Sequence, residues 1–335
     1  MDLITGATGI VGTHLLLERA RSGGPVRALF RRGSDRSIVQ QVFDHYDASE
    51  LVPRIEWVEG DLLDVSSLTD AIQGVAHVYH TAALVSFDPR MAKAMYAVNV
   101  QGTANLVNVA LECGVKRLCH VSSTAAIGRA TVGVDRTEDL PWIDDKNTSD
   151  YARSKYMAEL EVQRGILEGL DAVMVNPCVI IGPGAGTRSS MALVDRVQRG
   201  TRFFTTGSNA FVDARDVAKC MSLLMERGIS GERYLLVGEN ADYRRLFDLL
   251  CDGFGSPRPT REAKSWMLGL AWRLEAVRSR LMGRSPLVTR ATVESSMNRR
   301  GYSNAKVTAL LGHHFISLEG SVANVVSFAK RRVSR

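Results

Sequence analysis

The chain has 335 residues, 45% hydrophobic and 23% charged, with nine prolines and no low-complexity tract, which excludes a disordered or fibrous polypeptide and suits one large globular unit. A net charge of +6 could suit nucleic acid, but ten basic residues face only three acidic ones between Arg258 and Arg300. The remainder is balanced at 32 basic against 33 acidic, so nucleic acid is not expected as a partner.

No apolar run reaches the roughly 18 residues a membrane span needs, so stable membrane insertion is not expected. No basic n-region or cleavable apolar segment opens the chain, and the five cysteines lack C-x-x-C spacing. Reduced thiols in a cytoplasmic protein are the simplest reading. No metal site is expected.

In chain order, short apolar runs alternate with amphipathic stretches. The predicted first strand, "DLIT", runs straight into "TGATGIVGTHL", with Gly6, Gly9 and Gly12 three apart. So tight a turn favours residues without a Cβ. A helix starting near Ile10 would aim unpaired N–H groups and its positive dipole end at a pyrophosphate. That makes Gly6, Thr8, Gly9, Ile10, Val11 and Gly12 candidate phosphate contacts, although the triplet alone also fits an ordinary strand–helix turn.

The second strand, "VRALF", is followed by Arg31 and Arg32 in place of the carboxylate that would hold a ribose 2′-hydroxyl. Guanidinium groups there suit a 2′-phosphate and favour NADP(H) over NAD(H); solvated arginines are the alternative. "IEWVE" predicts a third strand, with Asp61 and Leu62 beyond its end. "AHVYH" predicts a fourth, followed by the small residues Thr81, Ala82 and Ala83, which would let a ligand approach the backbone.

"KRLCHVS" predicts a fifth strand, ending in the hydroxyls of Ser122, Ser123 and Thr124; two of the three are expected only to shape the turn. In "SDYARSKYMAEL", Tyr151 stands four residues before Lys155, on one helix face. A free phenol titrates near about pH 10. A neighbouring ammonium, together with a cationic nicotinamide, is expected to lower that pKa and make Tyr151 a proton-transfer group.

"AVMVNP" is the sixth strand, and after about residue 180 the pattern turns Gly/Pro-rich and then mostly helical. This alternation predicts an α/β architecture with a parallel sheet covered on both faces. Ligand should bind beyond the carboxyl ends of the strands, where strand order reverses. Residues 1–180 form the expected sheet domain and 181–335 a smaller, interwoven, helix-rich lobe.

In combination, TGATGIVG, GDL, HTAA, the Asn99 of AVNVQGTANL, VSS and YARSK resemble the extended short-chain dehydrogenase/reductase family, from residue 1 to about 330. NPCVIIGPG, FVDARDVAKCM, GERYLLVGEN and SNAKVTALLGHHF are similar to its branch of dihydroflavonol reductases, 3β-hydroxysteroid dehydrogenases and NAD-dependent epimerase/dehydratase proteins.

The resemblance implies a Rossmann-type doubly wound sheet with a C-terminal substrate lobe, and an NAD(P)-dependent oxidoreductase. Tyr151 would be the general acid/base, and Lys155 would grip the nicotinamide ribose while lowering the tyrosine pKa. Ser123 would supply the substrate-binding hydroxyl, and Asn99 would lie near a water of the proton relay. Asp61 and Leu62 would contact adenine, while Pro177 and Val179 would flank the carboxamide.

Family dehydratases usually follow the catalytic hydroxyl with Asp-Glu, whereas this chain has Thr124-Ala125. Many sugar-nucleotide epimerases carry a lysine where Val85 stands. Reduction of a ketone or aldehyde, or oxidation of the matching secondary alcohol, is therefore favoured over nucleotide-sugar epimerisation. A cofactor-sensing protein is less favoured still, because such relatives typically lose the tyrosine or lysine.

For the small-molecule substrate, Ser86, Phe87, Thr187, Arg188, Phe203, Phe204 and Phe211 would suit a medium-sized apolar carbonyl compound. A homodimer is compatible with these features. "KSWMLGLAWRLEAVRSRLM" could be a substrate lid or a membrane-surface contact. The leading reading is a packed helix of the lobe, with Trp266 and Trp272 turned inward.

Overall fold

The computed structural model describes residues 1–131, 133–184, 191–282, 286 and 288–333. Strands β1 (Asp2–Thr5), β2 (Val26–Phe30), β3 (Ile55–Glu59), β4 (His77–His80), β5 (Arg117–Val121) and β6 (Ala172–Pro177) lie where the apolar runs predict them. Between them run α1 (Ile10–Arg21), α2 (Ser37–His45), α3 (Val65–Ile72), α4 (Ala92–Tyr96), α5 (Gly102–Glu112) and α6 (Asp150–Leu167). The sequence pattern gave no sign of α2, a short helix that buries Ile38, Val39, Val42 and Phe43 on one side.

The C-terminal portion contributes β7 (Val179–Ile181), α7 (Met191–Gln198), β8 (Phe203–Phe204), β9 (Ser208–Asp213), α8 (Ala214–Arg227), β10 (Arg233–Leu236) and β11 (Glu239–Asp242). It continues with α9 (Tyr243–Phe254), β12 (Arg261–Glu262), α10 (Ser265–Met282), α11 (Arg290–Met297), α12 (Ala305–Leu311) and α13 (Leu318–Val333).

The main sheet is parallel, in the order β10-β6-β5-β4-β1-β2-β3. Successive strand residues face opposite sides. Ile4, Cys119 and Val173 pack with Leu15 and Leu16 of α1, Phe43 of α2 and Met221 of α8. Their neighbours Leu3, Leu118 and Met174 pack with Leu68 of α3, Leu106 of α5 and Val162 of α6. Strand order reverses between β1 and β4, which brings the ends of these two strands together.

Two features depart from the expected lobe. Beyond residue 180 the chain is mostly helical, as expected, but β11-β9-β7 form a second sheet that the pattern does not announce, and β10 re-enters the main sheet beside β6. These strands are only three to six residues long, too short for a period-2 signal. The second departure is α10. Trp272 is half-buried, but Trp266 is 69% exposed, so this helix does not turn both tryptophans inward as the packed-helix reading expects. Among the described residues, no helix is long and apolar enough to cross a membrane.

Candidate active site

The site begins where β1 ends. Gly6 has φ +66°, and a Cβ there would lie 2.6 Å from the Ala82 backbone nitrogen. At Gly12 a Cβ would meet the Gly6 carbonyl oxygen at 2.2 Å. Only glycine permits this closeness of loop, helix and the β4 exit. Gly9 is the N-cap of α1, with no side-chain cap and no acidic residue in the first turn. The helix therefore offers its N–H groups and positive dipole end to an anion. Thr8 and Ile10 are half-buried beside this turn, and Val11 is buried.

A chain of hydrogen bonds ties that cradle to Asn99. The Ala82 N–H donates to the Thr5 hydroxyl (3.2 Å), and Thr5 Oγ1 lies 2.8 Å from His80 Nδ1. His80 Nε2 lies 3.0 Å from Thr103 Oγ1, whose proton goes to the Asn99 carbonyl at 2.6 Å. Thr103 can then only accept from His80, so His80 carries its proton on Nε2 and takes the Thr5 proton on Nδ1. Burial, and secondarily the Lys155 charge, push the His80 pKa down to about 3, so the imidazole is neutral. Thr81 donates to the Thr5 carbonyl at 2.6 Å. Ala83 is half-buried in the same loop.

Tyr151 sits in the first turn of α6, which Ser149 caps by accepting from the Ala152 N–H at 3.2 Å. One turn on, Lys155 is buried and donates to the Val121 carbonyl at 2.9 Å. Burial lowers its pKa to about 8, opposed by the charge of Glu159. For Tyr151 the Lys155 ammonium by itself does not give the expected lowering. Desolvation raises its pKa, and a hydrogen bond with Ser123 is what opposes the rise. The ammonium is spent on a carbonyl beneath the helix instead of on the phenol. Ser123 thus meets Tyr151, while its hydroxyl also accepts from the Ala125 N–H (3.1 Å) and caps the turn Thr124–Ala126. Ser122 and Thr124 are buried.

Asn99 lies in a π-helical turn, Ala97–Gln101, and is 2% exposed. Its amide clamps the Leu84 backbone from both directions, accepting at 2.7 Å and donating at 3.0 Å. The other amide proton goes to Ser154 Oγ at 3.0 Å. Both amide protons are committed, and the side chain staples the 81–88 loop to α6.

Glu159, one turn past Lys155, was missed by reading the sequence. It is 2% exposed, accepts from Asn176 at 2.5 Å and pairs with Arg233 at 3.3 Å. The four-residue spacing that singles out Tyr151 and Lys155 continues to Glu159, and that was the available signal.

The two arginines predicted to favour NADP(H) lie past β2. Arg31 and Arg32 are exposed there, and neither is paired with a carboxylate among the described residues. Arg36, also missed, is held over Phe30 (4.5 Å) and Trp57 (5.4 Å), a third guanidinium at that edge. Asp61 accepts from the Leu63 N–H at 2.9 Å, and Leu62 is buried under α5, where Gly102 leaves room for it. Pro177 ends β6, and Val179 is half-buried in β7.

Of the candidate substrate residues, Phe87 meets Tyr151 edge-on, with ring centroids 5.6 Å apart. Ser86 accepts from the Asp88 N–H at 3.1 Å, shaping the same loop. Phe211 differs from expectation. It is 2% exposed and packs edge-on against Tyr243 in the core of the lobe, because its position in β9 faces inward. Phe204 lies beneath the Arg244 guanidinium (4.4 Å), and Phe203 is exposed. Thr187 and Arg188 lie outside the described residues.

A glycine cradle between β1 and α1, at a strand-order reversal, together with a Tyr–Lys pair on α6, fits a nicotinamide-dependent enzyme class. The chain belongs to the NAD dependent epimerase/dehydratase family, whose model matches residues 3–237, within the extended short-chain dehydrogenase/reductases.

It is 35% identical over 259 residues to sterol demethylase protein B of Methylococcus capsulatus, covering 77% of this chain and 75% of that one. It is 33% identical over 331 residues to a putative dihydroflavonol 4-reductase of Synechocystis sp., covering 96% and 92%. The crystal structure of gox2253 superposes with a TM-score of 0.82 at 31% identity, over 99% of this chain and 98% of that one. The protein is thus an NAD(P)-dependent enzyme of the oxidoreductase type.

Proposed function

We propose that this protein reduces the carbonyl of a medium-sized apolar ketone or aldehyde, or runs the reverse oxidation of the secondary alcohol, with NADP(H) preferred. The observation that carries this reading is the hydrogen bond between Tyr151 and Ser123, with Phe87 against the same phenol. Burial keeps the phenol protonated, which is the form that can donate to a developing alkoxide. The Ser123 hydroxyl would hold the substrate oxygen beside it.

The cradle suits a dinucleotide, since side chains at Gly6 and Gly12 would collide with backbone. Arg31 and Arg32, with Arg36 nearby, support a 2′-phosphate. When bound, the nicotinamide supplies the hydride. Lys155 would hold the ribose beside Tyr151. Val85 and Thr124-Ala125 favour net reduction over nucleotide-sugar chemistry, and the similarity to a putative dihydroflavonol 4-reductase supports the same choice.

The test is NADPH oxidation against a panel of ketones, aldehydes, steroids and nucleotide sugars. The proposal expects consumption of NADPH matched one-to-one by alcohol. Isomerisation of a nucleotide sugar without net consumption would replace it with an epimerase.

A further inference from the structure

The basic C-terminal segment carries an exposed apolar stripe that the catalytic reading does not use. On α10, Trp266, Leu270, Leu274 and Val277 are 69%, 52%, 61% and 59% exposed. At 3.6 residues per turn their side chains leave the helix within an arc of about 80°. The opposite side is the one that packs: Leu268 and Trp272 are half-buried, Ser279 is 5% exposed, and the Glu275 carboxylate is turned in. This inverts the usual arrangement, in which the apolar side of a surface helix faces the core.

Arginines border the stripe. On the same helical count, Arg273 and Arg280 fall on one edge and Arg278 on the other. The Arg273 guanidinium lies 4.7 Å from the Trp272 ring, and Arg278 is paired with Glu275 at 2.9 Å.

We propose that α10 docks this protein on an anionic lipid surface, lying in the interface without crossing it. An apolar stripe led by a tryptophan and edged by arginines has the chemistry of an interfacial helix: indole and leucine enter the acyl boundary and guanidinium groups meet phosphates. Charge complementarity selects this occupant over a second copy of the chain. The segment from Arg258 to Arg300 has ten basic and three acidic residues, so a symmetric pairing would bring like charges together. The docking helix is also joined to the active-site rim. It packs on α11, whose Arg290 donates to Asn147 Oδ1 (3.5 Å), in the loop leading to Tyr151.

The test is co-sedimentation of the full chain with phosphatidylcholine vesicles, plain or containing about one-third phosphatidylglycerol. The chain should pellet with the anionic vesicles, and should be released at about 1 M salt, where the Debye length is about 3 Å. Arg273→Glu/Arg280→Glu should weaken the anionic partition at least about 10-fold. Leu270→Glu/Leu274→Glu should weaken it comparably. Both variants change exposed side chains, and an unchanged melting temperature and NADPH affinity would show that the fold is intact.

Failure to pellet with either vesicle overturns the proposal, as does undiminished binding by both variants. A dimer in sedimentation velocity that Leu270→Glu/Leu274→Glu dissolves would give the stripe to a second copy and overturn it equally.

Discussion

Helices α6 and α10 are both 18 residues long and are opposites in what they hide. Helix α6 buries Lys155 at 3% and Glu159 at 2% exposure, while its Leu160 and Leu167 stand in solvent at 47% and 90%. Helix α10 exposes Trp266 and Leu274 and turns the Glu275 carboxylate inward. Burying a charge costs several kcal/mol unless partners repay it, and here the repayment is visible. Lys155 has the Val121 carbonyl, and Glu159 has Asn176 and Arg233. Such an investment in polar groups marks chemistry. The exposed apolar stripe of α10 has no comparable polar construction, and it is the surface for which lipid docking is proposed.

The contrast is broken most severely at the phenol. Tyr151→Phe removes one oxygen and should lower kcat at least about 10²-fold while leaving the fold and cofactor affinity nearly intact. Retention of most activity would remove Tyr151 from the proton-transfer role. Lys155→Met should also lower kcat, and should differ by raising the cofactor Kd; an unchanged Kd would confine the lysine to its contact with Val121.

Next in size is the cofactor edge. Arg31→Ala/Arg32→Ala should raise the NADPH Kd by about 10²-fold, because each charge-assisted hydrogen bond contributes about 1.5–3 kcal/mol. The NADH Kd should change little. Equal affinities of the parent protein for the two cofactors would take away the premise.

Acid should expose the cost of the buried polar interior. His14, His80 and His120 are buried, and desolvation lowers all three pKa values from 6.5, to about 4 for His14 and about 3 for His80. The unfolded chain therefore binds more protons than the folded one at acid pH. Stability is fully present above pH 6.5 and falls on acidification by about 1.4 kcal/mol per pH unit and imidazole. The Tm should drop steadily between pH 6.5 and 4, and His80→Gln should make that slope shallower. A flat Tm over this range would contradict the buried, neutral assignment.

The smallest expected effect is the most local. Glu159→Gln removes the charge that holds up the Lys155 pKa, so the alkaline fall of kcat/KM should move to lower pH. An unmoved pH profile would leave Glu159 with only its structural contacts.

Much of this was legible in the sequence, unevenly and for physical reasons. The six strands of the first half announce themselves as short apolar runs between helices, and Gly6, Gly9 and Gly12 mark a turn that only a missing Cβ allows. Tyr151 and Lys155 follow from helical spacing. Spacing does not give direction, however. It could not tell that the Lys155 ammonium points under the helix at Val121, nor that both Asn99 amide protons go to Leu84 and Ser154. Phe211 looked like a pocket wall because aromatic character is visible in a sequence and strand facing is not, in so short a lobe strand. For α10, apolar residues all round the helix concealed which side is covered.

The central claim is net carbonyl reduction through Tyr151, and the most direct measurement follows reduced nicotinamide absorbance while NADPH and the carbonyl panel are mixed with the protein. The parent should consume one NADPH for each alcohol formed with at least one ketone or aldehyde, and Tyr151→Phe should not. Equal consumption by Tyr151→Phe, or a nucleotide sugar turned over with no net loss of NADPH, would contradict the account.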